Sequence, residues 1–181
     1  MKTALKLSAL LCGVLLAACQ QPEWRDPAKS KHPQVSDQAA IVSAVTPTVQ
    51  GPSPGPAPWA KDILGKSPRE VFPRTDLCVG NADKVEHKYA GPPAGASVIG
   101  WGWDVARKVR IQKVILVDAS YKIVGAGIGG FPRPEVPKAS PDVLDPRTGW
   151  RAHTLSTAGP LDAYGVLADG ASICPLGHVE L

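Results

Sequence analysis

The chain has 181 residues, with 20 Lys and Arg against 16 Asp and Glu, a formal charge of +4 and a pI near 8.9. That length suits one domain of ordinary size with appendages rather than two large ones. With 18 Gly and 19 Pro, the composition argues against a helical bundle and for a turn-rich chain.

At the N-terminus, Lys2 and Lys6 accompany an apolar run from Leu7 to Ala18. The run is shorter than the roughly 20 residues of a spanning helix and has the order of a secretory signal. It ends Leu16-Ala17-Ala18-Cys19, a string that resembles the lipobox of bacterial lipoproteins. The resemblance implies that residues 1–18 are removed as a lipoprotein signal peptide. It also implies that the Cys19 thiol carries a diacylglyceryl group and that its new amine is acylated. Gln20 stands where an Asp would favour retention at the inner membrane, so the chain resembles the class sorted to the outer membrane. The implied location is the bacterial cell envelope, with the membrane engaged through the lipid anchor. Two or more acyl chains hold a protein firmly, whereas one binds reversibly.

Without residues 1–18 the chain carries 18 positive and 16 negative side chains. Residues 19–74 hold seven and five of these, and residues 75–181 hold 11 of each. A neutral domain without a basic stripe is poor material for binding a phosphate backbone, so a nucleic-acid partner is excluded. Cys12 leaves with the signal and Cys19 is the acylation site, which leaves Cys78 and Cys174. In an exported protein such a pair is most simply a disulfide. The competing reading, a metal site built from Cys174 and His178, lacks a second pair of ligands.

Residues 19–74 contain ten of the prolines, with Pro52, Pro54, Pro56 and Pro58 alternating with small residues. Such a run favours extended, polyproline-like chain, and the stretch reads as a disordered tether following the lipidated cysteine. Two short helical pieces are expected within it: one from Ser36 to about Val45, and one turn at Ser67-Pro68-Arg69-Glu70 with Ser67 as cap.

Residues 75–181 show a period of two. Ile99, Trp101, Trp103 and Val105 alternate with Gly100, Gly102 and Asp104. Ile111 to Val117 is β-branched and apolar on both faces at its centre, which suits a central strand. Asp118-Ala119-Ser120 turns the chain into a returning strand from Tyr121 to Ile128. Further strands are expected at Ala82 to His87, Trp150 to Leu155, Leu161 to Ala168 and Ser172 to Cys174, with a helical turn at most over Arg133 to Ala139. About seven short strands in 107 residues point to an all-β fold. The expected form is an antiparallel β-sandwich, immunoglobulin-like or similar, with one disulfide; a partly open barrel is the alternative.

Several short motifs occur in order: Cys-x-Gly at 78–80, Gly100-Trp101, Asp118, Ile123-Val124-Gly125, Phe131-Pro132-Arg133-Pro134-Glu135-Val136, Gly149-Trp150, and Asp169-Gly170 before Cys174. The chain from about 78 to 176 is in this respect similar to small disulfide-bonded β-sandwich modules of bacterial envelope proteins, some of them glycan-related and mostly of undefined function. The resemblance bears on fold more than on activity.

Catalytic and cofactor signals are weak. Gly125-Ala126-Gly127-Ile128-Gly129-Gly130 fits Gly-x-Gly-x-x-Gly, but Phe131-Pro132-Arg133-Pro134 follows it where a dinucleotide site needs a helix N-terminus. No cofactor is expected. His32, His87, His153 and His178 lack metal spacing, and there is no Gly-x-Ser-x-Gly elbow. Asp142 with Asp145, or Asp83 and Glu86 with His87, are the candidate acids, each more simply a solvated turn group. The aromatic residues carry the sharper expectation. Trp101, Trp103 and Trp150, with Arg133 and Arg151, are candidate ligand-binding residues, since exposed indoles stack on sugar rings while guanidinium groups bond hydroxyls. The bland alternative is that the indoles fill a core. The expected function is a non-catalytic binding or assembly domain for cell-wall glycan such as peptidoglycan, for surface glycan or for another envelope protein. A glycan-acting hydrolase and a ligand-free spacer are the alternatives.

Overall fold

The computed structural model of the chain describes residues 45–181. The lipobox, Cys19 and the helix expected from Ser36 (save Val45) lie outside the described residues. Ten strands follow in chain order: β1 (Thr48–Val49), β2 (Arg74–Thr75), β3 (Cys78–Tyr89), β4 (Gly95–Asp104), β5 (Val109–Arg110), β6 (Lys113–Asp118), β7 (Ile123–Phe131), β8 (Gly149–Thr154), β9 (Pro160–Val166) and β10 (Ser172–Glu180). Two short helices, α1 (Pro68–Val71) and α2 (Glu135–Ala139), complete the list with a single 3-10 turn at Pro58–Ala60. The fold is all-β with one disulfide, as expected.

The strands form one mixed sheet in the order β1-β3-β4-β8-β7-β6-β9-β10-β2, with β5 paired to β4. From β3 to β10 every pairing is antiparallel. Only the two-residue edge strands are parallel, β1 to β3 and β2 to β10. The sheet folds back on itself. Cys78 of β3 is bonded to Cys174 of β10, with 5.6 Å between their Cα atoms, although five strands separate β3 from β10 in the pairing order. The two facing layers of the expected sandwich are thus parts of one continuous sheet.

Both faces of that sheet bury apolar side chains, which is why β6 is apolar throughout its centre. Val114 and Leu116 point inward with Val98, Trp150, Leu161 and Leu176. Ile115 and Val117 point outward, where they meet Ile123, Ile173 and Phe72. Trp150 fits inside because Gly100 lies directly opposite it in register. A Cβ on Gly100 would stand 2.4 Å from Trp150 Cζ2 and 2.1 Å from the Asn81 carbonyl oxygen.

The expected tether to residue 74 requires correction. Residues 48–75 belong to the folded body: they supply both edge strands and cross the outer face between them. Trp59, Ile63, Val71 and Phe72 pack on the outward cluster, and apolar burial of that kind offsets the entropy of ordering the segment. The Trp59 indole donates to the Gly127 carbonyl at 3.1 Å, Ala57 N–H donates to Ala126 O at 3.2 Å, and Gly65 N–H to Ile123 O at 2.8 Å. The alternating prolines are indeed extended, with Ala57 at φ −56° and ψ 137°. They run along a surface rather than free. The expected turn after Ser67 is α1, where the Glu70 carboxylate accepts the Ser67 N–H at 3.2 Å.

At the β9–β10 turn, Asp169 accepts the N–H groups of Ala171 and Ser172, each at 2.9 Å, and the Ser172 hydroxyl at 2.8 Å. Those bonds, the Ala171 N–H foremost, hold its carboxyl down to about 2. Gly170 follows with φ 68°, the left-handed position this turn requires.

Candidate functional site

Residues 59–72 cover the outer face over β6, β7 and β9, and the outer face over β3, β4 and β8 stays open to solvent in part. The register places side chains there in rows across the strands. Lys84, Ile99, Arg151 and Ile128 form one row; Trp101, Gly149 and Phe131 form the next. Ile128 is 50% exposed, and Ile99, Trp101 and Phe131 are partly exposed.

Two guanidinium groups lie on this face, each held by carboxylates. Arg151 donates to Glu86 at 2.7 Å, and its guanidinium lies 5.1 Å from the centre of the Phe131 ring. Arg133 donates to Asp83 at 2.5 Å and to Glu135. Burial opposes the charge on Arg133, but the bonds to Glu135 and Asp83 more than offset it and raise its pKa. The Arg133 stem crosses the sheet over Gly149, where a Cβ would come within 2.8 Å of Arg133 Cγ. Gly149 is therefore the position that lets Arg133 lie flat between Trp101 and Phe131. Beside it runs a groove of about 360 Å³, walled by Pro54, Pro56 and Pro58 and floored by Gly127, Ile128, Phe131, Arg151 and His153.

The sequence expectations separate here. Arg133, Arg151 and Trp101 come together on one face. Trp103 and Trp150 do not. Trp103 is 3% exposed under Val136 and Val143, where α2 and the loop after it cover it, and Trp150 is 1% exposed inside the curled sheet. Neither can stack on a ligand, so the stacking role expected for these two is corrected to a core role. Alternation put Trp101 and Trp103 on the same face, but only the cover over Trp103 decided which of them is buried. Sequence reasoning missed Phe131 and Ile128 as apolar floor, the proline wall, and the carboxylates that hold the arginines. Phe131 had a local signal in its place two residues before Arg133; the proline wall had none.

Three of the four candidate acids are engaged, and Asp142 is exposed. Asp83 and Glu86 bond the two arginines. Asp145 accepts from Arg110 at 2.6 Å and from the Arg147 N–H at 2.8 Å; burial opposes its charge, but these bonds keep its pKa below the usual carboxylate range. The glycine run 125–130 lies within β7, paired to β6 and β8, and the strand continues to Phe131, so no helix opens directly after the glycines; the five-residue α2 begins only at Glu135. Among the described residues no group of three or more His, Cys, Asp or Glu is placed to hold a metal ion. The face can therefore offer flat apolar contact, fixed donors and fixed acceptors, a chemistry suited to a polyhydroxylated ring.

His153 lies at the groove with its Nδ1 buried and without a hydrogen-bond partner among the described residues. Burial, and then the charge of Arg151, lower its pKa from 6.5. At the sheet seam, His178 bonds Asp162 at 2.9 Å and Glu180 at 3.2 Å, and these bonds, Asp162 first, raise its pKa. The two signs are opposite. The unfolded chain binds a proton at residue 153 more readily, so that site costs stability as pH falls below about 6.5; the contribution of His178 is complete below about 6.5 and is lost as pH rises through its raised value. Proton NMR titration is expected to resolve the two midpoints on opposite sides of the ordinary histidine value. His153→Gln is expected to remove the acid-side slope of the urea midpoint; an unchanged slope would show that its burial does not matter.

Compared with protein-family models, curated proteins and solved structures, the chain matches none of them.

Proposed function

We propose that this protein is a lipid-anchored envelope protein whose β-domain is a non-catalytic binding module, and that its ligand is a glycan of the cell wall or cell surface. One observation carries the reading. Ile128, which is exposed, and Trp101 and Phe131, which are partly exposed, form an apolar strip flanked by Arg133 and Arg151, each already paired with carboxylates. A pre-paired guanidinium and carboxylate offers a hydroxyl both a donor and an acceptor without adding net charge. Such a pair suits a neutral sugar better than a phosphate. The Leu16-Ala17-Ala18-Cys19 string supports the anchor, and the membrane would be its first partner. No helix among the described residues is long and apolar enough to cross a membrane.

A glycan array and titration of the bound glycan test the ligand. Trp101→Ala and Arg151→Ala are each expected to weaken binding by about tenfold while leaving the circular-dichroism spectrum unchanged. Binding that is indifferent to both variants, or no glycan bound at all, would sink the glycan reading. A specific envelope protein captured by the wild type and lost in both variants would replace it with assembly. Mass spectrometry of the protein from its native membrane tests the anchor separately: the acyl mass must lie on Cys19.

A further inference from the structure

The groove between the proline segment and the sheet has an uneven supply of hydrogen-bonding groups. On the wall, Pro54, Pro56 and Pro58 have no N–H to give. The two N–H groups between them are used inside the fold: Gly55 donates to the Ser53 hydroxyl at 3.2 Å, and Ala57 to the Ala126 carbonyl at 3.2 Å. On the floor, the Gly127 carbonyl accepts the Trp59 indole at 3.1 Å. The carbonyls of Pro54, Gly55 and Pro56 accept no hydrogen bond from the described residues. The proline wall therefore offers aliphatic rings and acceptors, without a donor.

Donors come from the opposite side, where Arg151 and His153 line the groove. Arg151 uses one terminal nitrogen on Glu86 at 2.7 Å. Its Nε and His153 Nδ1 are two of the four buried side-chain atoms that have no partner among the described residues. Folded proteins leave few such atoms, and two of them meet at this groove. The charge there is balanced. Arg151 is the one charged side chain of the lining among the described residues, and Glu86 neutralises it; His87 stands 3.6 Å from the same carboxylate. Arg133 is held by Asp83 and Glu135, and Arg147 donates to the Gly130 carbonyl at 3.0 Å. Lys84 and Lys113 stand on strands to either side without lining the groove, and the Lys113 ammonium lies 5.1 Å from the centre of the Trp59 ring.

We propose that this groove takes the acetamido group of an N-acetylated sugar whose ring lies on the strip of Trp101, Phe131 and Ile128. The inference rests on the glycan reading above and names the class of glycan. An acetamido group carries a methyl for the proline wall and the apolar floor. Its carbonyl oxygen accepts from Arg151 or His153, its N–H meets a carbonyl of the proline segment, and it brings no charge. A hydroxyl on the same ring carbon would leave the apolar wall without contact. A carboxylate or an ammonium would bring a charge to a lining that Glu86 has already balanced.

The test uses the full chain with short oligomers of N-acetylglucosamine, glucosamine and glucose in one linkage, which differ only in the group on the second ring carbon. The matching galactose set and oligomers of glucuronic acid are titrated beside them. The acetamido form is expected to bind about tenfold tighter than the hydroxyl form, from one buried methyl and one hydrogen bond. Ala57→Leu, chosen to fill the groove, is expected to remove that preference, with circular dichroism and the urea midpoint reporting whether the variant folds. In the wild type, the acetamido form alone is expected to shift the amide signals of Gly55 and Ala57 and the ring signals of His153, a readout that needs no variant. Equal binding of the acetamido and hydroxyl forms, lost in Trp101→Ala, would overturn this inference and leave the glycan reading in place. So would a preference for the amino or the uronic acid form, a preference retained in a folded Ala57→Leu, or shifts confined to residues away from the groove. If no glycan binds at all, both readings fall.

Discussion

Replacing both Cys78 and Cys174 by serine is expected to lower the free energy of unfolding by about 4–5 kcal/mol, the chain-entropy value for a loop of this length. The bond joins residues 96 apart in sequence. It also sits where the sheet needs it. β3 and β10 are not hydrogen-bonded to each other, so the seam between them is held by the disulfide and by packing. Gly80 lies against Leu176 at that seam, close enough that a Cβ would stand 2.6 Å from Leu176 Cδ2. Urea denaturation of the double-serine variant, compared with the oxidised wild type, measures the loss. A loss below about 1 kcal/mol would mean that packing alone closes the sheet and that the unfolded chain is little constrained by the bond.

Trp150→Ala is expected to cost about 3–5 kcal/mol, as for a large aromatic removed from a core. The indole is 1% exposed and its Nε1 has no hydrogen-bond partner among the described residues, so the cost is lost packing and the cavity left behind. The converse substitution is also expected to be severe. Gly100→Ala places a methyl 2.1 Å from the Asn81 carbonyl oxygen and 2.4 Å from Trp150 Cζ2, and the backbone oxygen cannot turn aside. About 1–3 kcal/mol or more is expected from such overpacking. Combining it with Trp150→Phe is expected to relieve only the contact with the ring. Urea midpoints of the single and double variants check all of this. A Trp150→Ala variant as stable as wild type would place the indole outside the core. Trp101→Ala, on the partly exposed strip, serves as the comparison and is expected to change stability far less than Trp150→Ala.

Much of the fold was legible because strands write their period directly into sequence. β4 was found from the alternation of Ile99, Trp101 and Trp103 with glycines, and β6 from its run of β-branched residues; both lie within a few residues of expectation. The turn at Ser67 was read from Pro at the first helical position and from its cap, which are local signals. The expected last strand ends at Cys174, whereas β10 continues to Glu180, because Pro175 and Gly177 look like breakers in sequence. In the structure they lie at a register shift that the strand passes through.

The candidate site was legible only in part. Arg133, Arg151 and Trp101 could be named from residue type, since stacking and bidentate bonding need those side chains. That Trp103 is covered and Trp101 is not depends on Val136 and Val143, more than 30 residues later in the chain. The groove depends on prolines 54 to 58 meeting Phe131 and Arg151, a long-range contact with no local mark.

The neutrality of residues 75–181 does not extend to the folded body, because residues 48–74 add four positive and two negative side chains. By itself, then, the sequence determined the all-β class and the cysteine pair. Each of these follows from composition or from a period of two, which any short window reveals. The tertiary structure alone decided that residues 48–75 are part of the body and that the facing layers are one curled sheet. It alone decided which indoles are core and which arginines share a face. Those outcomes turn on which apolar surfaces find one another across long separations. The proline-rich segment has weak local preference for any regular element, yet Trp59, Ile63, Val71 and Phe72 find an uncovered apolar face on β6 and its neighbours, and that burial outweighs the entropy of a free tether.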